Sequence, residues 1–228
     1  MTLVASAALP VAVGAASSPY EQMAPLTQYL MSDRQAEIAL ALSAAPPAIS
    51  GRATVLVLGR HGYEIVKNGT NGFTCLVERA WMSPFDSRQF WNWKMRGPIC
   101  YNPAATRTVL VYTLRRTEMA LSGLSKPEML DRLKTMVADK QLPLPEPGSM
   151  SYMMSKGGDL GDSVGPWMSH LMFYAPKADG AQDGASWGAN LPASPVLLDT
   201  SHHVVPEPET IFMVPVSRWS DGTAAPAN

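Results

Sequence analysis

Two chemically versatile residue types are scarce in this 228-residue chain, which has 2 Cys and 4 His. No Cys-x-x-Cys pair occurs, which argues against a thioredoxin-type redox centre and a cysteine-rich zinc site. A surplus of positive charge is also missing, because 18 Lys and Arg stand against 19 Asp and Glu. A nucleic-acid binder needs a basic face to neutralise phosphates and release counterions, so no nucleic-acid partner is expected. Charged residues make up only 16% of the chain, below the roughly 25% of an average soluble domain. No stretch reaches the about 20 apolar residues that a membrane-spanning helix needs.

What is present is enough apolar material for a core. Hydrophobic residues are 46% of the chain, which argues against whole-chain disorder. Twenty Pro and 17 Gly imply many turns and short elements, and the length fits one domain over 17–228 with a polar tail from about 221. The run Leu3 to Ala16 has the length of a signal h-region, and Val13-Gly14-Ala15 is an acceptable cleavage site. Only Met1 and Thr2 precede the run, so the usual basic n-region is missing and an ordinary apolar leader is the other reading. The first reading predicts a periplasmic or secreted protein. There an even cysteine count suggests a Cys75–Cys100 bridge, with two buried free thiols as the alternative.

Ser32 followed by Gln35 reads as a capping box opening a short helix over roughly 33–44, stopped by Pro46-Pro47. Apolar runs at 54–58, 63–66 and 73–77, separated by turn residues, predict an antiparallel meander with Cys75 facing a core. After an irregular segment from Trp81 to Tyr101, Asn102-Pro103 opens a helix over roughly 103–122. Leu110, Leu114 and Leu121 form its apolar side, and Arg107, Arg115 and Arg116 reach solvent. Ser125 to Glu128 caps a second helix, and the two are expected to form a hairpin on a sheet. The proline-stiffened segment 142–148 then leads to strands near 150–155, 169–174, 195–199 and 210–216. The expected fold class is α+β, a mostly antiparallel sheet with a helical hairpin packed on it and a short N-terminal helix.

The run from Thr54 to Trp81, together with Gly97-Pro98-Ile99-Cys100-Tyr101-Asn102-Pro103 and His170-Leu171-Met172-Phe173-Tyr174, resembles exported bacterial proteins with no assigned activity. The resemblance covers most of the mature chain. It implies no catalytic residues.

Several constellations bear on chemistry. Gly184-Ala185-Ser186-Trp187-Gly188 is a formal G-x-S-x-G, followed by Asp199, His202 and His203 in nucleophile, acid, histidine order. A nucleophile elbow needs a strand before the serine and a helix after it, and the polar, proline-containing flanks here argue for a chance pentapeptide. Met168, His170 and Met172 alternate on one strand, as do Met150, Tyr152 and Met154 on another. If those strands are neighbours, thioethers and an imidazole converge, a donor set that suits Cu(I). The alternative is a methionine-filled core with one hydrogen-bonded histidine. His61 with His202 or His203 would bind zinc or act as a base only if the fold joined them. The loop 156–162 matches neither a P-loop nor an EF-hand and reads as a flexible turn.

Aromatic crowding is the strongest compositional signal. Trp81, Phe85, Phe90, Trp91, Trp93 and Tyr101 fall within one irregular segment, with Arg88, Lys94 and Arg96 among them. Exposed, they form a platform for a ligand or partner; buried, they form a satellite core under a long loop, and burial is the favoured state. A loop this long is nevertheless often functional. The expected function is therefore a non-catalytic small-molecule- or partner-binding domain using loop 81–101 and the adjoining 156–168 loop, without a resident cofactor. One rival is a hydrolytic or metal-dependent enzyme using His61, His170 or His202 with Asp159, Asp162 or Asp199. A structural envelope protein is the other.

Overall fold

The first three apolar runs form β1 (Thr54–Gly59), β2 (Gly62–Lys67) and β3 (Thr74–Glu78). β1 and β2 make a tight antiparallel hairpin in which Gly59 faces Gly62. The expected meander ends there, because β3 pairs with the other side of β1 and runs parallel to it, Val55 opposite Cys75. β2 finishes beside the start of β1, so segment 68–73 has only to cross that end of the strand. Gly69 permits the crossing, since a Cβ there would collide with the backbone of Arg52, Ala53 and Thr54. Thr70 N–H donating to Arg52 O and Thr54 N–H donating to Phe73 O, each at 2.8 Å, fix the crossing.

The computed structural model describes residues 19–159, 161–162, 168–177, 183–199 and 203–226. The apolar run 3–16, His202 and parts of the loops 156–166 and 176–194 lie outside the described residues. Preceding the sheet are α1 (Arg34–Leu42) and α2 (Pro47–Ser50). After β3 come β4 (Gly97–Tyr101), α3 (Pro103–Arg107), α4 (Val109–Leu121), α5 (Lys126–Ala138), β5 (Met150–Met153), β6 (His170–Pro176), α6 (Asp183–Ser186), β7 (Leu197–Leu198) and β8 (Glu209–Pro215). The strands join in one sheet in the order β2-β1-β3-β4-β5-β6-β8-β7. Every pairing except β1 with β3 is antiparallel. The chain is α+β with a mostly antiparallel sheet, and the large sheet, rather than a helical hairpin, dominates it.

Local capping chemistry sets the helix ends. α1 is capped by Asp33, one residue later than the sequence pattern suggested, its carboxylate accepting from the N–H groups of Gln35 and Ala36. Asn102 accepts from Ala105 N–H with Pro103 at the first helical position, and the Ser125 and Glu128 capping box forms. The single helix expected over 103–122 breaks at Thr108, whose φ of −121° and ψ of −70° leave the helical region.

α4 buries part of the face its leucines suggested, with Leu110 and Met119 in the core, but that face also takes in polar residues. Leu114 is 38% exposed while Arg116 is 2% exposed. The buried residues are Val109, Leu110, Tyr112, Thr113, Arg116, Thr117, Met119 and Ala120, an apolar face that carries Thr113, Arg116 and Thr117 at helical spacing. The reason lies in what it meets: Thr117 Oγ1 accepts from Trp81 Nε1 at 3.0 Å, Thr113 Oγ1 donates to Glu78 at 2.9 Å, and Arg116 holds Glu207.

Two cores lie on opposite faces of the sheet. α1 covers Val55, Val66, Cys75, Val77 and Cys100 on one face. The other face presents Leu56, Leu76, Ile99, Tyr101, Met153 and Tyr174 to α4, α5 and the aromatic segment. A buried ion pair, Glu37 with Arg79 at 2.7 Å, fastens α1 to the end of β3. Cys75 and Cys100 stand directly opposite one another in the β3–β4 register, with Cα atoms 4.0 Å apart, and form a disulfide on the α1 face.

Candidate functional site

A cleft opens between α4 and the sheet face it covers. Its floor follows from register: Met153 stands opposite His170, Ser151 opposite Met172, and Met172 opposite Met213. The period of two puts all five side chains on the face that carries Tyr101 and Tyr174. Glu78, at the end of β3, lies on the same face. The roof is α4 together with residues 82–84 and Met95. Two cavities with shared walls fill the cleft, about 100 Å³ against α4 and about 230 Å³ under the 82–95 segment. Glu78, Met82, Pro84, Met172 and Asp199 line both.

The smaller cavity is the acidic end. Glu78, Asp199, Glu207 and Glu209 line it with Tyr101, Tyr112, Tyr174, Thr113 and Arg116. Arg116 donates to Glu207 from Nε at 2.6 Å and from Nη2 at 2.8 Å, and from Nη1 to the carbonyls of Trp81 and Ser83. The guanidinium that lines this end is thereby committed to one carboxylate. Glu78 Oε1 accepts from Tyr101 Oη at 2.6 Å and from Thr113 Oγ1 at 2.9 Å. Burial pushes the Glu78 carboxyl above its usual range, opposed by those two hydrogen bonds. Glu209 is pushed well above it by burial and by the neighbouring Glu207 charge, and its Oε2 has no hydrogen-bond partner among the described residues. Burial raises Asp199 as well.

The larger cavity is the thioether end, lined by Met82, Met95, Met153, Met172 and Met213 together with His170. His170 Nδ1 lies 2.6 Å from the Met168 carbonyl, which can only accept, so the neutral ring carries its proton on Nδ1. Burial lowers the pKa of His170 below its ordinary 6.5 and keeps the ring neutral at pH 7. Tyr174 Oη donates to Met172 Sδ at 3.3 Å, and Ser83 Oγ to Met95 Sδ at 3.7 Å. Met168 precedes β6 and is absent from the lining. Met150 and Tyr152, half a pleat out of phase with Met153, belong to the opposite face, so the methionines that meet His170 and Met172 are Met153 and Met213.

The aromatic residues take a different place from a ligand platform. Trp81, Phe85, Phe90 and Trp91 are buried, each ring packed on another: Phe85 on Phe90 at 4.9 Å, Phe90 on Trp91 at 4.8 Å, Trp81 on Tyr29 at 5.0 Å. Burying such large rings gains more than exposing them, and Trp81 Nε1 finds Thr117. Trp93 is half-buried edge-on to Tyr20, Arg88 is exposed, and Arg96 donates to the carbonyls of Trp93, Met95 and Gln28. Of the predicted aromatics, Tyr101 lines the cleft. The segment otherwise contributes to it through Met82, Ser83, Pro84, Met95, Gly97 and Ile99.

The remaining candidates stay apart. Ser186 ends the one-turn α6 with no strand leading into it among the described residues. Asp199 lies in the cleft, and His203 stands 3.6 Å from Asp86. His61 sits in the β1–β2 turn near one edge of the sheet, whereas His203 lies between β7 and β8 near the other. Among the described residues no group of three His, Cys, Asp or Glu is placed to hold a metal ion, and His202 lies outside them. Asp159 is bridged to Arg96 through the backbone, and Asp162 pairs with Lys94 at 2.9 Å.

Sequence reasoning found His170, Met172, Tyr101 and Asp199 but missed Glu78, Glu207, Glu209, Arg116, Thr113, Met153 and Met213. The one legible signal was the polar triplet Thr113, Arg116 and Thr117 at helical spacing with Val109 and Ala120. Among the described residues no helix is long and apolar enough to cross a membrane. No family model, curated protein or solved structure matches this chain.

Proposed function

We propose that this protein binds a small organic cation with an apolar body in the cleft between α4 and the sheet. The observation that carries the reading is Glu209, a buried carboxyl whose Oε2 has no hydrogen-bond partner among the described residues and which shares its cavity with Glu78, Glu207 and Asp199. Burying uncompensated carboxylates is costly, and they either take up protons or recruit a cation. A ligand ammonium supplies both the charge and the donors, and the thioether end accepts an apolar body. Cavities mostly apolar with a few convergent polar groups are the usual form of small-molecule sites.

The test uses benzylamine and its neutral counterpart benzyl alcohol, titrated by calorimetry or ligand-observed NMR. Benzylammonium binds at least tenfold more tightly, and Glu209→Gln abolishes the difference. Equal binding of the two probes, or of neither, overturns the proposal.

Three carboxyls raised in pKa within one cleft also favour a second reading, acid–base hydrolysis, in which one group donates and another accepts a proton. Hydrolysis of nitrophenyl esters or glycosides that disappears in Glu209→Gln would support it, and no turnover would remove it. An exported location is part of the proposal. Its support is the Cys75–Cys100 disulfide, a bond that persists in oxidising compartments, together with the apolar run 3–16. The mass of the N-terminal peptide from exported protein tests it.

A further inference from the structure

We propose that the thioether end of the cleft is a Cu(I) site, built from Met82, Met95, Met153, Met172, Met213 and His170. The inference stands apart from the organic-cation reading, because it rests on the soft donors and on none of the carboxylates.

Five of the chain's 14 methionines line one cavity of about 230 Å³ beside a single imidazole. Thioether sulfur is a soft, polarisable donor, and with imidazole it selects Cu(I) over zinc, calcium or magnesium. Register brings the donors close without any loop rearrangement. Met172 and Met213 are direct cross-strand neighbours, as are Met153 and His170, and side chains so placed have Cβ atoms about 4.5–5.5 Å apart. Met82 and Met95 come from the segment above, on unbranched side chains that can close onto an ion. The Met168 carbonyl accepts the His170 Nδ1 proton and so fixes the ring and its tautomer, the outer-shell device that metal-binding histidines commonly have. The competing soft donors are spent: Cys75 and Cys100 are bonded to each other on the opposite face of the sheet.

Cu(I) is titrated anaerobically into the whole protein in competition with the chromophoric chelator bicinchoninate. Wild type withdraws one equivalent, Met172→Leu with Met213→Leu lowers the affinity at least tenfold, and Glu209→Gln leaves it unchanged. Leucine nearly conserves methionine's volume, so the double variant keeps the fold. Failure of wild type to withdraw copper overturns the proposal, and so does a double variant that binds like wild type. A measurement without mutation supplies an independent check: in protein carrying methyl-13C methionine, Ag(I), a redox-inert surrogate, shifts the five cleft methyls at one equivalent. Shifts at Met23 or other methionines outside the cleft in their place overturn it too. Loss of benzylamine binding with retained Cu(I) binding would defeat the organic-cation reading alone, and the reverse result would defeat this one alone.

Discussion

Arg116 grips Glu207 through two parallel hydrogen bonds, Nε to Oε1 at 2.6 Å and Nη2 to Oε2 at 2.8 Å, with both side chains buried. The same guanidinium holds the carbonyls of Trp81 and Ser83 and lies 4.5 Å from the centre of the Phe85 ring. It thereby ties α4, the roof of the cleft and the approach to β8 together. Removing one partner of a buried pair leaves the other charge uncompensated, at a cost of about 3–5 kcal/mol. Arg116→Met should therefore destabilise the protein by about that amount in urea denaturation. The double variant Arg116→Met with Glu207→Leu should recover part of the loss.

Stability should fall as pH rises above the ordinary carboxylate range. Glu78, Asp199 and Glu209 have folded-state pKa values raised by burial, so the native state binds more protons than the unfolded chain between about pH 4 and those raised values. Their contribution is complete below about pH 4 and is lost as pH climbs through the folded values. Glu209→Gln should flatten this slope and stabilise the protein at neutral pH. His170, lowered by burial, acts in the opposite sense: its contribution is present above about 6.5 and is lost as pH falls through its folded value. Urea midpoints measured from about pH 4 to about pH 8 for wild type and Glu209→Gln check both signs.

The disulfide closes a loop across a separation of 25 residues, worth about 3 kcal/mol in the chain-entropy model. Cys75→Ala with Cys100→Ala should lower stability by about that amount, and wild type measured in strong reductant should match the variant. Native protein should show no thiol to a disulfide-exchange reagent, and two thiols after reduction in denaturant.

Trp81 is fully buried, with its indole N–H on Thr117 Oγ1 at 3.0 Å. Trp81→Phe removes that bond while Thr117 Oγ1 still donates to the Thr113 carbonyl at 2.8 Å, so the loss should cost about 0.5–1.5 kcal/mol. Trp81→Ala adds a cavity and should cost about 3–5 kcal/mol. Calorimetric unfolding of both variants gives the order, and equal losses would assign the whole cost to the hydrogen bond and none to the ring's packing.

The elements that reading the chain located are those whose causes are local. Asn102-Pro103 and Ser125 with Glu128 carry their own capping chemistry, and the strands around Val55, Ile65, Cys75 and Met172 announce themselves by β-branched and apolar runs. The meander failed because alternation shows which residues share a face but not which strand lies next door. A small glycine crossing at Gly69 sent β3 to the far side of β1. The inner face of α4 is legible only in part for a related reason: Leu110 and Met119 are buried, but Thr113 and Arg116 turn inward too because they meet Glu78 and Glu207.

Composition and pattern by themselves determined the α+β class, the position of most helices and strands, the placing of His170 and Met172 on one strand face, and the adjacency of cysteine to a core. Those depend on neighbours within a few residues, where hydrogen bonding and side-chain periodicity act. The cleft was decided by tertiary structure alone. Glu78 comes from β3, Arg116 from α4, Met153 from β5, Asp199 from the end of β7, and Glu209 and Met213 from β8. Only sheet register and the seating of α4 bring them within reach of one another. Burial, which gives those carboxyls their raised pKa values and His170 its neutral ring, is a property of the assembled fold, because it measures how much water the rest of the chain excludes.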